Sequence, residues 1–293
     1  MSEKGPRMIL CAGLQSGGTT LISWCFLQRP DADGVLDMPN DVIQTSFEKA
    51  KEPILWVKQT VGSFRWLDMC ETYRDLGWDP EPLLVVRDAR AAYSSLRKKF
   101  YGINGTTAED PPFRIRFRRF LRDWELFREN GWPIFKFEDF LRDHRAVLME
   151  MCADLSIPWD ESMVSWPKER SEIAYARGGQ ETFEKSFESG GLKAAKLDDR
   201  AELRIDGLPA SELEWLEETF AQYNEFHGYP KEVPPAPDAP ATIPAPGYEH
   251  TARAWYYGEN DRLNAEYWKL VEENEELRRK VNELFAMKRG REW

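Results

Sequence analysis

Leu14-Gln15-Ser16-Gly17-Gly18-Thr19-Thr20 closes the apolar run that begins at Met8 and leads straight into Leu21-Ile22-Ser23-Trp24, so that a strand, a turn and a helix start follow one another without a gap. Two glycines let the backbone curl until successive amides point at one centre, the threonine hydroxyls add donors, and the first turn of the helix brings partial positive charge. Such a turn is a cradle for a phosphate or sulfate. The same residues also make an ordinary tight turn between a strand and a helix. A nucleoside-triphosphate loop would carry a lysine before its Ser/Thr pair and a longer glycine span, and neither is present.

Outward from this turn the chain alternates. Met8 to Leu14, Ile54 to Thr60, Leu83 to Arg87 and Pro133 to Phe137 read as short buried strands, apolar and rich in β-branched or aromatic residues. Helical periodicity fills the intervals at Leu21 to Gln28, Phe64 to Leu76, Ala91 to Phe100 and Phe113 to Glu129, and again at Val147 to Leu155 and after Pro209. The pattern predicts an α/β chain with a central parallel sheet covered on both sides by helices, a three-layer arrangement of the P-loop-like kind. The weakly periodic, glycine-containing span from about Ser171 to Arg204 reads as a lid or loop.

A break in composition follows Tyr229, where PKEVPPAPDAPATIPAPG makes a semi-extended linker. Residues 1–229 are therefore expected to form the globular domain, 230–250 the linker and 251–293 a C-terminal helix. Leu263, Leu270, Leu277 and Leu284 recur at heptad spacing, with Asn274 at an a position, where a buried amide favours a two-stranded state. That pattern points to a coiled-coil homodimer through residues 263–288. A single amphipathic helix packed back on the domain is the other reading.

The 293 residues are 42% hydrophobic, enough for one sizeable core, and the net charge of −11 argues against nucleic-acid or anionic-membrane partners. An anionic ligand must then meet a local basic pocket. Basic residues gather between Arg87 and Arg122, although the run Arg114 to Arg122 equally suits a solvated helix face. The polar start and the short apolar run after it suit neither a signal peptide nor a membrane span, so a cytoplasmic protein without stable membrane insertion is expected. Cys11, Cys25, Cys70 and Cys152 are scattered and read as reduced, mostly buried thiols, and no metal-ligand spacing is visible.

Two further motifs sit in order behind the first. In Leu84-Val85-Val86-Arg87-Asp88-Ala89-Arg90-Ala91-Ala92-Tyr93-Ser94-Ser95 a buried strand ends on an arginine, whose planar fork suits phosphate oxygens, and Ser95 follows two helical turns later. In Phe135-Lys136-Phe137-Glu138-Asp139-Phe140-Leu141 a strand ends on an acidic pair suited to capping a helix or pairing with an arginine. Taken together, these stretches of residues 8 to about 160 resemble the sulfotransferases that use PAPS (3′-phosphoadenosine-5′-phosphosulfate), in particular the bacterial and Golgi-type members that act on carbohydrates.

The resemblance implies a 5′-phosphosulfate loop at Ser16, Gly17, Gly18, Thr19 and Thr20, and a 3′-phosphate grip by Arg87 and Ser95. PAP is implied as the product, and no metal is implied. The family's loop commonly opens on Lys or Arg, where this chain has Ser16. Lys58 is the candidate for the displaced cation, since relatives carry a lysine at that strand end. They place a histidine base two residues on, where this chain has Thr60. His144, His227 and His250 read as surface or helix-end residues, which leaves a carboxylate as base, with Asp41 favoured over Asp37 and Glu48. Lys193, with Lys196, is the candidate from the lid. The expected reaction is sulfuryl transfer to a hydroxyl of a carbohydrate or other small acceptor. A catalytically silent scaffold assembled through the coiled coil and a P-loop small-molecule kinase are the competing readings.

Overall fold

Five strands pair into one sheet in the order β2-β3-β1-β4-β5, every neighbouring pair parallel. They are β1 (Arg7–Leu14), β2 (Ala32–Val35), β3 (Ile54–Val61), β4 (Glu81–Val86) and β5 (Ile134–Lys136). The computed structural model describes residues 6–36, 43–61, 64–96, 112–173 and 208–231. The expected coiled coil at 263–288, the linker at 230–250 beyond residue 231, the lid at 174–204, Asp37 and Asp41 lie outside the described residues.

The three central strands are buried on both faces of the pleat, and apolar there apart from Lys58, Gln59 and Thr60 at the end of β3, because helices cover both faces, the usual condition of a parallel sheet. On one face Met8, Leu10, Ala12 and Leu14 of β1 join Leu55 and Val57 of β3 and Leu84 and Val86 of β4. That face is covered by α2 (Trp66–Asp75), α3 (Ala89–Leu96), α4 (Pro112–Asn130), α8 (Ala210–Thr219) and α9 (Ala221–His227). On the other, Ile9, Cys11, Trp56 and Val85 pack against α1 (Thr19–Leu27), α5 (Phe137–Arg142), α6 (His144–Asp154) and α7 (Ser162–Ser165). This is the three-layer α/β architecture expected from the alternation of strands and helices.

β2 has no counterpart among the strands expected from the sequence, because Asp33 and Gly34 interrupt the apolar pattern. Packing explains both. A Cβ on Gly34 would sit 1.8 Å from the carbonyl oxygen of Trp56 on β3, so only glycine lets the edge strand approach. Asp33 accepts the backbone N–H of Lys51 at 2.8 Å and anchors the segment leading into β3.

The topology fixes where a ligand can sit. From β1 the chain passes through α1 to the β2 edge, whereas from β4 it passes through α3 and α4 to the β5 edge. β1 and β4 are adjacent, so a crevice opens outside their carboxyl ends, the usual ligand position in an open parallel sheet.

Candidate functional site

The turn from β1 into α1 lies at this crevice. Ser16 adopts a left-handed φ of 63° and Gly18 one of 89°, and the Gly17 N–H closes the turn on the Leu14 carbonyl at 2.8 Å. Gly18 is the N-cap of α1, without a side-chain cap, and no acidic residue occupies the first helical turn. The positive end of α1 is thus left to whatever anion enters the turn. A Cβ on Gly18 would lie 2.1 Å from the Phe137 ring, so the aromatic floor of the turn requires glycine there. Thr19 is buried and Thr20 half-buried at the head of the helix.

Arg87, immediately after β4, reaches across the crevice. Its Nη1 donates to the Ser16 carbonyl at 2.7 Å, and its guanidinium lies over the Phe137 ring at 5.4 Å from the centroid. Phe137 therefore touches both sides of the cradle. The two motifs, far apart in sequence, are one place in the fold.

Arg87 is held from behind by a buried network. Tyr223 donates its hydroxyl to the Arg87 carbonyl at 2.7 Å, and burial raises the phenol well above its ordinary value, so it stays a donor. Glu138 accepts the Asp88 N–H at 2.9 Å through one oxygen and the Tyr229 hydroxyl at 2.9 Å through the other. The first contact caps the start of α3 and assigns the acidic pair of the third motif a structural task. Asp88 and Arg90 form a fully buried ion pair, which Arg90 extends to Glu217 at 2.8 Å. Helices α8 and α9 are thereby tied to the strand end that carries Arg87.

The basic run on α4 is not a uniformly solvated face. Arg116 and Arg119 are buried, at 7% and 4% exposure, beside the aromatic stripe Phe117, Phe120 and Trp124, while Arg118 and Arg122 face outward. Arg116 Nη1 donates to Gln15 Oε1 at 3.0 Å, bringing a second arginine to the turn. Sequence reasoning missed this residue.

Lys58 sits on the α1 face of β3, paired in register with Cys11 and 5% exposed. Cys11 belongs to the buried cluster formed with α1, which puts the lysine beneath that helix. Ser95 is half-buried near the end of α3, two turns from Arg87. Glu48 is exposed beside the buried Phe47. Asp41, Lys193 and Lys196 lie outside the described residues. His227 ends α9 but is buried rather than superficial. Its Nε2 accepts the Trp124 indole N–H at 2.9 Å, and burial lowers it to about 4, so it stays neutral. All four cysteines are free and buried; burial pushes Cys11, Cys25 and Cys70 up to about 12, which removes them as nucleophiles near neutral pH.

Compared with solved structures, the chain aligns with the sulfotransferase domain of the Synechococcus PCC 7002 olefin synthase at a TM-score of 0.51 and 17% identity, over 80% of this chain and 98% of that domain. The fold is that of a sulfotransferase domain. Mouse sulfotransferase SULT7A1, solved in complex with PAP, aligns at 0.46 and 10% identity, over 75% and 85% of the two chains. The sulfotransferase domain of the curacin biosynthetic pathway aligns at 0.41 and 12% identity, over 86% and 97%. No family model and no curated protein sequence matches this chain. Within the sulfotransferase fold, the turn at 14–20 and Arg87 occupy the carboxyl-end crevice between the central strands. Among the described residues no helix is long and apolar enough to cross a membrane.

Proposed function

We propose that the chain transfers a sulfuryl group from PAPS to a hydroxyl of a carbohydrate or other small acceptor. The observation that carries this reading is the meeting of Arg87 with the Ser16 carbonyl, over a helix N-terminus that its own sequence leaves uncapped. The residues present fit a nucleotide with two anionic ends: a glycine-dependent cradle for one, a strand-end arginine for the other.

When bound, PAPS supplies a sulfuryl group already activated by its bond to phosphate. Ser16, Gly18, Thr19 and Thr20 would hold the 5′-phosphosulfate with backbone and hydroxyl donors, while Gly17, whose N–H is taken by the Leu14 carbonyl, would shape the turn around it. Lys58 would add positive charge from beneath α1. Arg87 and Ser95 would grip the 3′-phosphate, and Lys193 would close over it from the lid. Asp41 would take the proton of the acceptor hydroxyl, a role that typically contributes 10²- to 10⁴-fold. Such a protein mainly aligns the acceptor and offsets charge moving onto the leaving group. We assign this activity to a domain spanning residues 1–229, working in the cytoplasm as a homodimer joined through residues 263–288.

Ser16, standing where relatives carry a cation, favours one other reading, a catalytically silent scaffold of the same fold. Incubation with PAPS labelled in its sulfuryl group, against a panel of sugar and small alcohol acceptors, separates the two. Label appearing on an acceptor, with PAP released, supports the transferase. Tight PAP binding with no label transferred to any acceptor supports the scaffold.

A further inference from the structure

The carbonyl of Arg87 and the N–H of Asp88 belong to one peptide unit, and side chains from later in the chain take both of its polar groups. The Tyr223 hydroxyl donates to the carbonyl at 2.7 Å, and Glu138 accepts the N–H at 2.9 Å. Glu138 is itself held by the Tyr229 hydroxyl at 2.9 Å, and the two tyrosine rings stack with centroids 5.8 Å apart and planes 29° from parallel. One residue further on, the Pro230 carbonyl accepts from the Arg90 guanidinium, the partner of Asp88. Val86 ends β4 and Ala89 begins α3, so this peptide stands at the junction of sheet and helix. A peptide unit is planar and turns only about its two flanking single bonds. With β4 fixing Arg87 from one side, pinning the following peptide at both polar groups fixes the direction in which the arginine side chain leaves the backbone.

We infer that Tyr223 and Tyr229 position Arg87 for the 3′-phosphate of the bound nucleotide, so that the end of the domain, residues 223–230, completes a grip whose arginine follows β4. Binding groups need to be held to within about 10–20° of their productive geometry, and an arginine on a peptide free to rock would sample a wider range. Both tyrosines are buried and act through the Arg87–Asp88 peptide, Tyr223 directly and Tyr229 by way of Glu138. They are positioning residues. The inference rests on the function proposed above, in which Arg87 grips that phosphate.

The test is equilibrium titration of the full chain with PAP and with adenosine 5′-monophosphate, which is PAP without its 3′ phosphate. Tyr223→Phe removes one hydroxyl and keeps the ring among Phe120, Trp124 and Phe220. It weakens PAP about fivefold and leaves adenosine 5′-monophosphate unchanged. Tyr229→Phe, one step further from the peptide, weakens PAP about threefold with the same selectivity. On an Arg87→Ala chain neither substitution weakens PAP further, since the group they position is gone. Equal weakening of the two nucleotides, the same loss of PAP affinity on the Arg87→Ala chain, or unchanged PAP affinity in both Phe variants overturns the positioning role while the proposed function stands. A wild-type chain that binds PAP no more tightly than adenosine 5′-monophosphate removes the 3′ grip from the proposed function, and this inference with it.

Discussion

The Arg87 guanidinium and the Ser16 carbonyl, 71 residues apart in sequence, meet at 2.7 Å and join the ends of β4 and β1 across the crevice. Arg87→Ala removes a charge-assisted donor worth about 1.5–3 kcal/mol. Binding of PAP is expected to weaken at least tenfold by calorimetric titration, with the urea midpoint of the free protein also lowered, because the same guanidinium holds the Ser16 carbonyl in the absence of ligand. An equally tight complex would mean that Arg87 serves the turn alone.

Gly18→Ala tests the floor of the cradle. The new Cβ must avoid the Phe137 ring, 2.1 Å away, while the backbone holds a φ of 89°. Left-handed strain alone costs about 1–2 kcal/mol, and the clash adds to it. Urea unfolding should show a loss of at least this size, and PAP affinity should fall with it as Phe137 is displaced.

Arg90 ties α8 to the strand end that carries Arg87. Arg90→Met leaves Asp88 buried without its cation, which typically costs about 3–5 kcal/mol. The expected result is a large drop in the denaturation midpoint. A loss under about 1 kcal/mol would show that the Arg90 backbone N–H, which also donates to the Asp88 carboxylate at 2.9 Å, suffices without the guanidinium.

Two buried groups give opposite pH dependences. Burial, opposed by the Trp66 N–H and the charges of Arg65 and Arg119, pushes the Asp123 carboxyl from 3.8 up to about 7. Folded protein then holds a proton that unfolded protein releases, so this residue's contribution is full below about pH 4 and is lost as pH rises towards about 7. Asp123→Asn keeps an acceptor for Trp66 and should remove that loss, seen as a smaller fall in urea midpoint from about pH 5 to about pH 8. His227, lowered from 6.5 to about 4, does the reverse, and its contribution is lost as pH falls through that window. Its ring resonances should titrate near the lower value, and a midpoint near 6.5 would contradict its burial against Trp124.

Much of this was legible in the sequence, for identifiable reasons. The central strands are largely apolar because they are buried on both sides, and glycines at a strand-to-helix junction have few uses besides close backbone approach. β2 was not legible, since the constraint on Gly34 is the Trp56 carbonyl of another strand. Nor was the start of α5 at Phe137, where the acidic pair read as a strand end although Glu138 already belongs to a helix. Arg116 leaves a trace in the sequence. It lies four residues before Phe120 and eight before Trp124, on the helix stripe that faces the core, so the basic run could not be solvated throughout. Its partner Gln15 comes from a contact across 101 residues, which no local pattern shows.

The central claim is that the crevice between β1 and β4 binds a nucleotide with a 3′ and a 5′ anionic group. Its most direct test is the thermal shift of the full chain with PAP, beside ATP with magnesium, using Arg87→Ala as the control. A ligand at about a hundred times its dissociation constant stabilises the native state by about 2.7 kcal/mol, a readily measured shift. A rise in melting temperature with PAP that is lost in Arg87→Ala is the result expected; no rise with PAP, or a rise with ATP and magnesium alone, would contradict it.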